Sequence, residues 1–157
     1  MRVIGIDPGY DRLGVAILEG DVHSQTLVFS TCITTDKKAS LPKRLHELGV
    51  ELEKICALYA PDRLAIETLF FNKNVKTALN VAEARGIILF VAQKASASVC
   101  EYSPQAIKIA VTGHGASSKL QVESMVKRLV SNIPPTALDD EYDAIAAAIT
   151  CLVSERS

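Results

Sequence analysis

No apolar run in the chain approaches the roughly 18 residues that a membrane span needs, and no basic segment followed by an apolar stretch and a cleavage site precedes the first strand signal. These absences favour a cytoplasmic protein. The four cysteines, Cys32, Cys56, Cys100 and Cys151, form no CxxC pair, which argues against a zinc site or a disulfide framework. They are expected to be reduced and mostly buried. Internal repeats and low-complexity segments are also missing. So is a surplus of either charge: seventeen Lys and Arg against eighteen Asp and Glu give a formal net charge of -1, which by itself argues weakly against a nucleic-acid partner.

What is present points elsewhere. A length of 157 residues, 48% hydrophobic and 22% charged, suits one globular domain over residues 1–157 with a single substantial core. The charge is unevenly spread. Lys73, Lys76, Arg85 and Lys94 face only Glu83 across residues 69–100, and Lys108, Lys119, Lys127 and Arg128 face only Glu123 across residues 102–138, so each stretch carries +3. Four acids, Asp139, Asp140, Glu141 and Asp143, then fall within five positions.

Residues 2–7, 13–19 and 25–35 are rich in Val, Ile, Leu and Thr and are divided by Pro8-Gly9 and Gly20-Asp21, which predicts an antiparallel meander. Ser40 and Pro42 mark a helix start, and apolar residues at 41, 45, 48, 52, 55 and 59 keep one helical face up to Pro61. Arg63 to Thr68 reads as a strand parallel to the first, because a helix separates it from the meander. A long helix over 75–96, a strand SVCEY, helices over 104–111 and 118–130, and a last helix beginning at Asp139 or Asp140 complete the order. The expected fold is α/β, with a five-stranded mixed sheet and helices on both faces.

Two acids end two of these strands, Asp7 and Glu67. Sheets with parallel strands place their sites beyond the carboxyl ends of those strands. Asp140 and Asp143, three residues apart, share one helical face at the helix's N-terminus, where the dipole favours anions. Asp7 alone equally suits a turn before Pro8-Gly9. An unpaired buried Glu67 is harder to explain structurally, and helix capping accounts for one of Asp140 and Asp143 but not both. Together the four acids form a cluster in which two like charges 4 Å apart repel by roughly 4 kcal/mol at an effective dielectric of 20. Positive charge must sit among them. Oxygen-only ligands suit Mg²⁺ or Mn²⁺, and two such ions about 3.5–4 Å apart support phosphodiester hydrolysis.

The segments IGIDPGYDRLGVAI, AIETLFFNKN, AEARG and DDEYDAIAAAIT, with Lys108 and Lys119 spaced between, together resemble the RuvC family of Holliday junction resolvases over essentially the whole chain. The resemblance implies an RNase H-like fold and a homodimer that uses divalent metal to nick two opposing strands of a four-way DNA junction symmetrically, leaving 5′-phosphate ends. It also implies a branch-migration motor of the RuvA and RuvB type as partner. By position, Asp7, Glu67, Asp140 and Asp143 match the family's catalytic carboxylates; some relatives carry His at one of the final pair, where this chain has Asp. Phe70 matches an aromatic that stacks on a base near the junction centre, and Lys108 and Lys119 match basic residues near the scissile phosphate. Lys119 is expected to help orient the attacking water, and Lys73, Asn74 and Arg85 join the expected DNA contacts. The 75–96 helix is expected to face the second subunit.

Other readings use the same residues. RNA-processing and RNA–DNA hybrid nucleases of this fold share the Asp7 strand, and a junction-binding protein without nuclease activity would need Phe70 and the lysines but not the acids. An ATP-binding domain of the actin and sugar-kinase type shares the Gly-Ile-Asp-x-Gly start but needs a second related domain. The loop GHGASSK lacks the Gly before Lys that a phosphate-binding GxxxxGK[ST] demands, so nucleotide binding there is not expected. Its backbone N–H groups around Gly113-His114-Gly115 are nevertheless candidates for holding a phosphate.

Overall fold

Arg2–Asp7 (β1) pairs antiparallel with Arg12–Gly20 (β2), which pairs antiparallel with Gln25–Thr34 (β3), forming the expected meander. The computed structural model describes residues 1–68 and 75–154. Helix α1 (Leu41–Tyr59) leads to β4 (Arg63–Glu67), which lies parallel to β1 with Ile66 beside Ile6. Helix α2 (Val75–Lys94), β5 (Ser98–Tyr102), α3 (Pro104–Thr112), α4 (Lys119–Leu129) and α5 (Asp139–Ser154) follow in the anticipated order.

One element corrects the five-strand expectation. Val130–Ser131, read as the end of a helix, is a short strand β6 parallel to the start of β3, and the sheet has six strands in the order β5-β4-β1-β2-β3-β6. Val130 is buried there, and its β-branched side chain packs better on a pleated surface than in a last helical turn.

Because successive strand residues face opposite sides, the sheet separates two apolar layers. Ile4 and Ile6 of β1 pack with Leu48 and Leu52 of α1 and with Ala84 and Ile88 of α2. Val3 faces the opposite layer, built on Ala144, Ile145, Ala148 and Ile149 of α5 together with α3 and α4. Ile145 and Ile149 are fully buried, each stabilising the fold by roughly 1.5–3 kcal/mol. The odd-numbered alternation carries on to Asp7, and on β4 it runs from Ala65 to Glu67, so both strand-ending acids belong to the α5 side.

Two glycines set how near α5 can come. A Cβ on Gly5 would lie 2.0 Å from the carbonyl oxygen of Ala144, and one on Gly14 would lie 2.0 Å from that of Asp140. The first turn of α5 therefore rests directly on the neighbouring strands β1 and β2, which brings its acids beside Asp7.

The loop after Asp7 is clamped from below by Arg44, which is 7% exposed. Its Nε donates to Thr35 Oγ1 at 2.9 Å, one terminal nitrogen donates to the Tyr10 carbonyl at 3.1 Å, and the same nitrogen pairs with Asp11. The guanidinium also covers the Tyr10 ring at 4.9 Å. Arg44→Met is expected to lower stability by roughly 2–3 kcal/mol, since buried acceptors lose their donor. The hydrogen bond from Arg44 holds the Asp11 carboxyl below its ordinary range. Its contribution is thus present above the usual carboxylate pKa and fades as pH falls through the lowered folded value. Thermal unfolding of both proteins from pH 7 to pH 3 checks this: the gap between them should narrow at the acid end.

All four cysteines are free; Cys56 and Cys151 are buried, Cys32 and Cys100 half-buried. Burial pushes the Cys56 thiol up to about 11 and that of Cys151 up to about 12, which leaves both as packing groups. Among the described residues, no helix is long and apolar enough to cross a membrane.

Candidate active site

Asp7 and Glu67 end adjacent parallel strands, and α5 lays Asp140 and Asp143 over the same end of the sheet. The electrostatics show that Asp7 senses all three of the other acids. Burial raises the Asp7 carboxyl most, repulsion from Asp143, Asp140 and Glu67 raises it further, and despite the opposing pull of Lys119 it titrates at about 7. Glu67 is raised by burial and then by Asp143, with Lys108 opposing. Acids separated by 60 to 136 positions in the chain therefore share one electrostatic neighbourhood.

They are not gathered at ligand distance. Among the described residues, no three His, Cys, Asp or Glu side chains stand close enough to hold one ion together. The α5 acids are instead paired with cations of the chain. Arg12 pairs with Asp140 Oδ2, and Cys32 Sγ donates to the same oxygen at 3.6 Å. Lys119 Nζ lies 2.9 Å from Asp143 Oδ2 and 3.7 Å from Asp139 Oδ2, and these carboxylates, Asp143 foremost, raise the lysine's pKa.

The helix start that carries these acids is held by a neighbour that in sequence is only one more of four crowded acids. Glu141 is buried, accepts the Leu138 N–H at 3.0 Å and accepts a hydrogen bond from Ser30 of β3. It does the work of fixing the first turn, as the third-position acid of a capping box does. Asp140 and Asp143 are left free of that task. A Glu two residues into the helix was the available signal; its partner Ser30, 111 positions away, was not visible locally.

Beside the acids a cleft of about 190 Å³ opens between α3, α4 and α5. Glu67, Asp143, Lys108 and Lys119 line it, with Ile107 and Val122 as apolar walls. Lys119 opens α4, whose first turn is secured by a full capping box between Ser118 and Gln121. Two acids and two lysines around one cleft can hold a phosphodiester between cationic and carboxylate groups.

The model of the family described as crossover junction endodeoxyribonuclease RuvC matches residues 3–151. The chain belongs to the RuvC family. RuvC of Thermosipho melanesiensis is 43% identical over 155 residues, covering 99% of this chain and 98% of that protein. RuvC of Petrotoga mobilis is 41% identical over 94% of this chain and 91% of its own length. Among solved structures, T. thermophilus RuvC in complex with a Holliday junction substrate superposes with a TM-score of 0.90 at 27% identity, covering 96% of this chain and 92% of that one. The RuvC fold is RNase H-like, and so is this one: a mixed sheet with antiparallel then parallel strands and helices on both faces. The chain is an endodeoxyribonuclease by family.

The remaining site expectations for this RuvC member fare differently. Phe70, Lys73 and Asn74 lie outside the described residues. Arg85 corrects its expectation as a DNA contact: it is 8% exposed, donates to the Glu67 carbonyl at 2.7 Å and pairs with Glu101. It braces the end of β4 from within and is not offered to solvent. The helical spacing was a usable signal, since Arg85 shares the buried stripe of Ala84, Ile88 and Ala92 on α2. In the loop after α3, two of the three amides considered for a phosphate are engaged within the chain, that of Gly113 donating to the Ile109 carbonyl and that of His114 to Thr112 Oγ1. The Ala116 N–H donates to His114 Nδ1, that of Ser117 to the His114 carbonyl and that of Ser118 to Gln121. These hydrogen bonds tie the loop to itself and to the start of α4.

Proposed function

We propose that this protein resolves four-way DNA junctions by nicking two opposing strands symmetrically and leaving 5′-phosphate ends. The observation that carries the reading is the cleft in which Lys108 and Lys119 face Glu67 and Asp143 beside the strongly perturbed Asp7. The junction-bound T. thermophilus relative supports the choice of substrate.

The donor set fits a hard divalent cation: oxygens only, with Asp7 raised to about 7 by burial first and then by the charge of the neighbouring acids. Asp7, Glu67, Asp140 and Asp143 would hold Mg²⁺, as two ions with Mn²⁺ able to substitute. Bound there, such ions supply charge neutralisation at the phosphate and a water of lowered pKa. The chain's own groups do the rest. Lys108 and Lys119 attract and position the scissile phosphate, Ile107 and Val122 shield one side of it from bulk water, and Lys119 orients the attacking water. Phe70, with Lys73 and Asn74, stacks on and steadies an unpaired base near the junction centre.

The reading includes one nuclease domain over 1–157, a homodimer that spaces two such sites through α2, action in the cytoplasm and a branch-migration motor as partner. Cleavage of a synthetic four-way junction, a linear duplex and an RNA–DNA hybrid, each with and without Mg²⁺, tests it. The junction should be cut in Mg²⁺ at paired positions on opposing strands while both other substrates survive. Preferential cutting of the hybrid, or junction binding without any cutting, overturns it.

A further inference from the structure

Asp140 pairs with a cation, Arg12, that lies outside the cleft. Its backbone has no freedom: the carbonyl lies where a Cβ on Gly14 would be, and the next residue, Glu141, is tied to Ser30 and to the Leu138 N–H. Only the carboxylate can turn. Arg12, at the first position of β2, fixes that turn by pairing with Oδ2, and Cys32 on the adjoining strand holds the same oxygen. The Arg12 side chain is 48% exposed and that of Asp140 23%, so the pair sits at the rim, where an incoming phosphate can reach the guanidinium. A phosphate offers Arg the same two-oxygen face that a carboxylate does, with more charge.

We propose that Arg12 is a positioning residue that keeps the Asp140 carboxylate engaged in the free protein and hands it over to the cation when DNA phosphate takes the guanidinium. This rests on the reading of the four acids as the cation site. Two observations converge on it. Asp7 senses all three other acids and yet, among the described residues, no three acids stand at ligand distance, and Asp140, though less exposed than Asp143, is held by a guanidinium that a phosphate can reach. The consequence is linkage: DNA strengthens cation binding, and by reciprocity the cation strengthens DNA binding. Lys119 on Asp143 is a parallel contact, but that lysine also lines the cleft and its loss has several effects. Arg12 is absent from the cleft wall and isolates the effect.

The test is Mn²⁺ binding to the whole protein without DNA, read as free Mn²⁺ by electron paramagnetic resonance, for the unaltered chain, Arg12→Gln, Arg12→Lys and Asp7→Asn. Arg12→Gln should tighten Mn²⁺ about 2- to 5-fold, the scale of a half-exposed ion pair, and Arg12→Lys should remain near the starting value. Junction affinity in EDTA, followed by fluorescence anisotropy, should weaken in Arg12→Gln by a similar factor. Unchanged or weaker Mn²⁺ binding in Arg12→Gln, with binding still sensitive to Asp7→Asn, overturns the role of Arg12 alone. Mn²⁺ binding indifferent to Asp7→Asn overturns the cation site and this proposal with it.

Discussion

Asp7→Asn is expected to abolish junction cleavage while leaving a protein that still binds the junction and is more stable than the original. Removing a group that merely supports a ligand typically costs about 10–100-fold, so losing a ligand carboxylate at the centre of the cluster should cost about 10³-fold or more in single-turnover rate. Binding should persist because Lys108 and Lys119 are untouched and one repelling charge is gone. The stability gain follows from the titration. Asp7 is raised from its ordinary 3.8 to about 7, so folding disfavours its ionised form. Above pH 7 the full cost of burying that charge is present; it shrinks as pH falls and vanishes below about pH 4, where the acid is protonated in both states. In metal-free buffer at pH 7.5 the asparagine variant should gain about 2 kcal/mol after allowing for partial solvation, or roughly 4–8 °C in Tm. Equal melting temperatures at pH 7.5, or undiminished cleavage, would show that Asp7 does not bear the cluster's charge.

The second large effect concerns a residue with no chemistry. Gly14→Ala places a methyl group 2.0 Å from the Asp140 carbonyl oxygen, a backbone atom that cannot rotate aside. Either α5 lifts or the strand deforms, and overpacking of this kind costs about 3 kcal/mol, with a fall in Tm of roughly 6–12 °C. Activity should fall further than the unfolded fraction explains. A shift of about 1 Å in a catalytic group can cost 10²-fold, and here both acids of α5 move together. Comparing cleavage per folded molecule at 20 °C with the thermal midpoint separates the two effects. A variant that loses stability but keeps full activity per folded molecule would show that the acids tolerate displacement of the helix.

Much of this architecture was legible because local periodicity and global packing agree. The strand signals over 2–7 and 63–68 already placed Asp7 and Glu67 at the carboxyl ends of parallel strands, and the spacing of Asp140 and Asp143 put both on one face at the start of the last helix. What local pattern could not show is pairing across long separations. Val130–Ser131 follows a helix without a break, and only its meeting with Gln25 and Thr26 makes it a strand. Arg85 read as one more positive charge on a basic segment until Glu101 and the Glu67 carbonyl were seen beside it. Arg12 and Cys32 carry no motif at all; they matter because β2 and β3 pass under the first turn of α5.

The helix that supplies half of the acidic quartet is also the centre of one apolar layer, and it follows every other element in the chain. During synthesis the ribosome releases Asp7 and Glu67 long before that helix exists, while the layer around Val3, Ala16 and Leu18 still lacks its central helix. Docking of α5 then closes the layer and assembles the acids in a single event. On the reading of the four acids as the cation site, a chain in which α5 has not docked lacks two of them and is expected to leave junction DNA uncut.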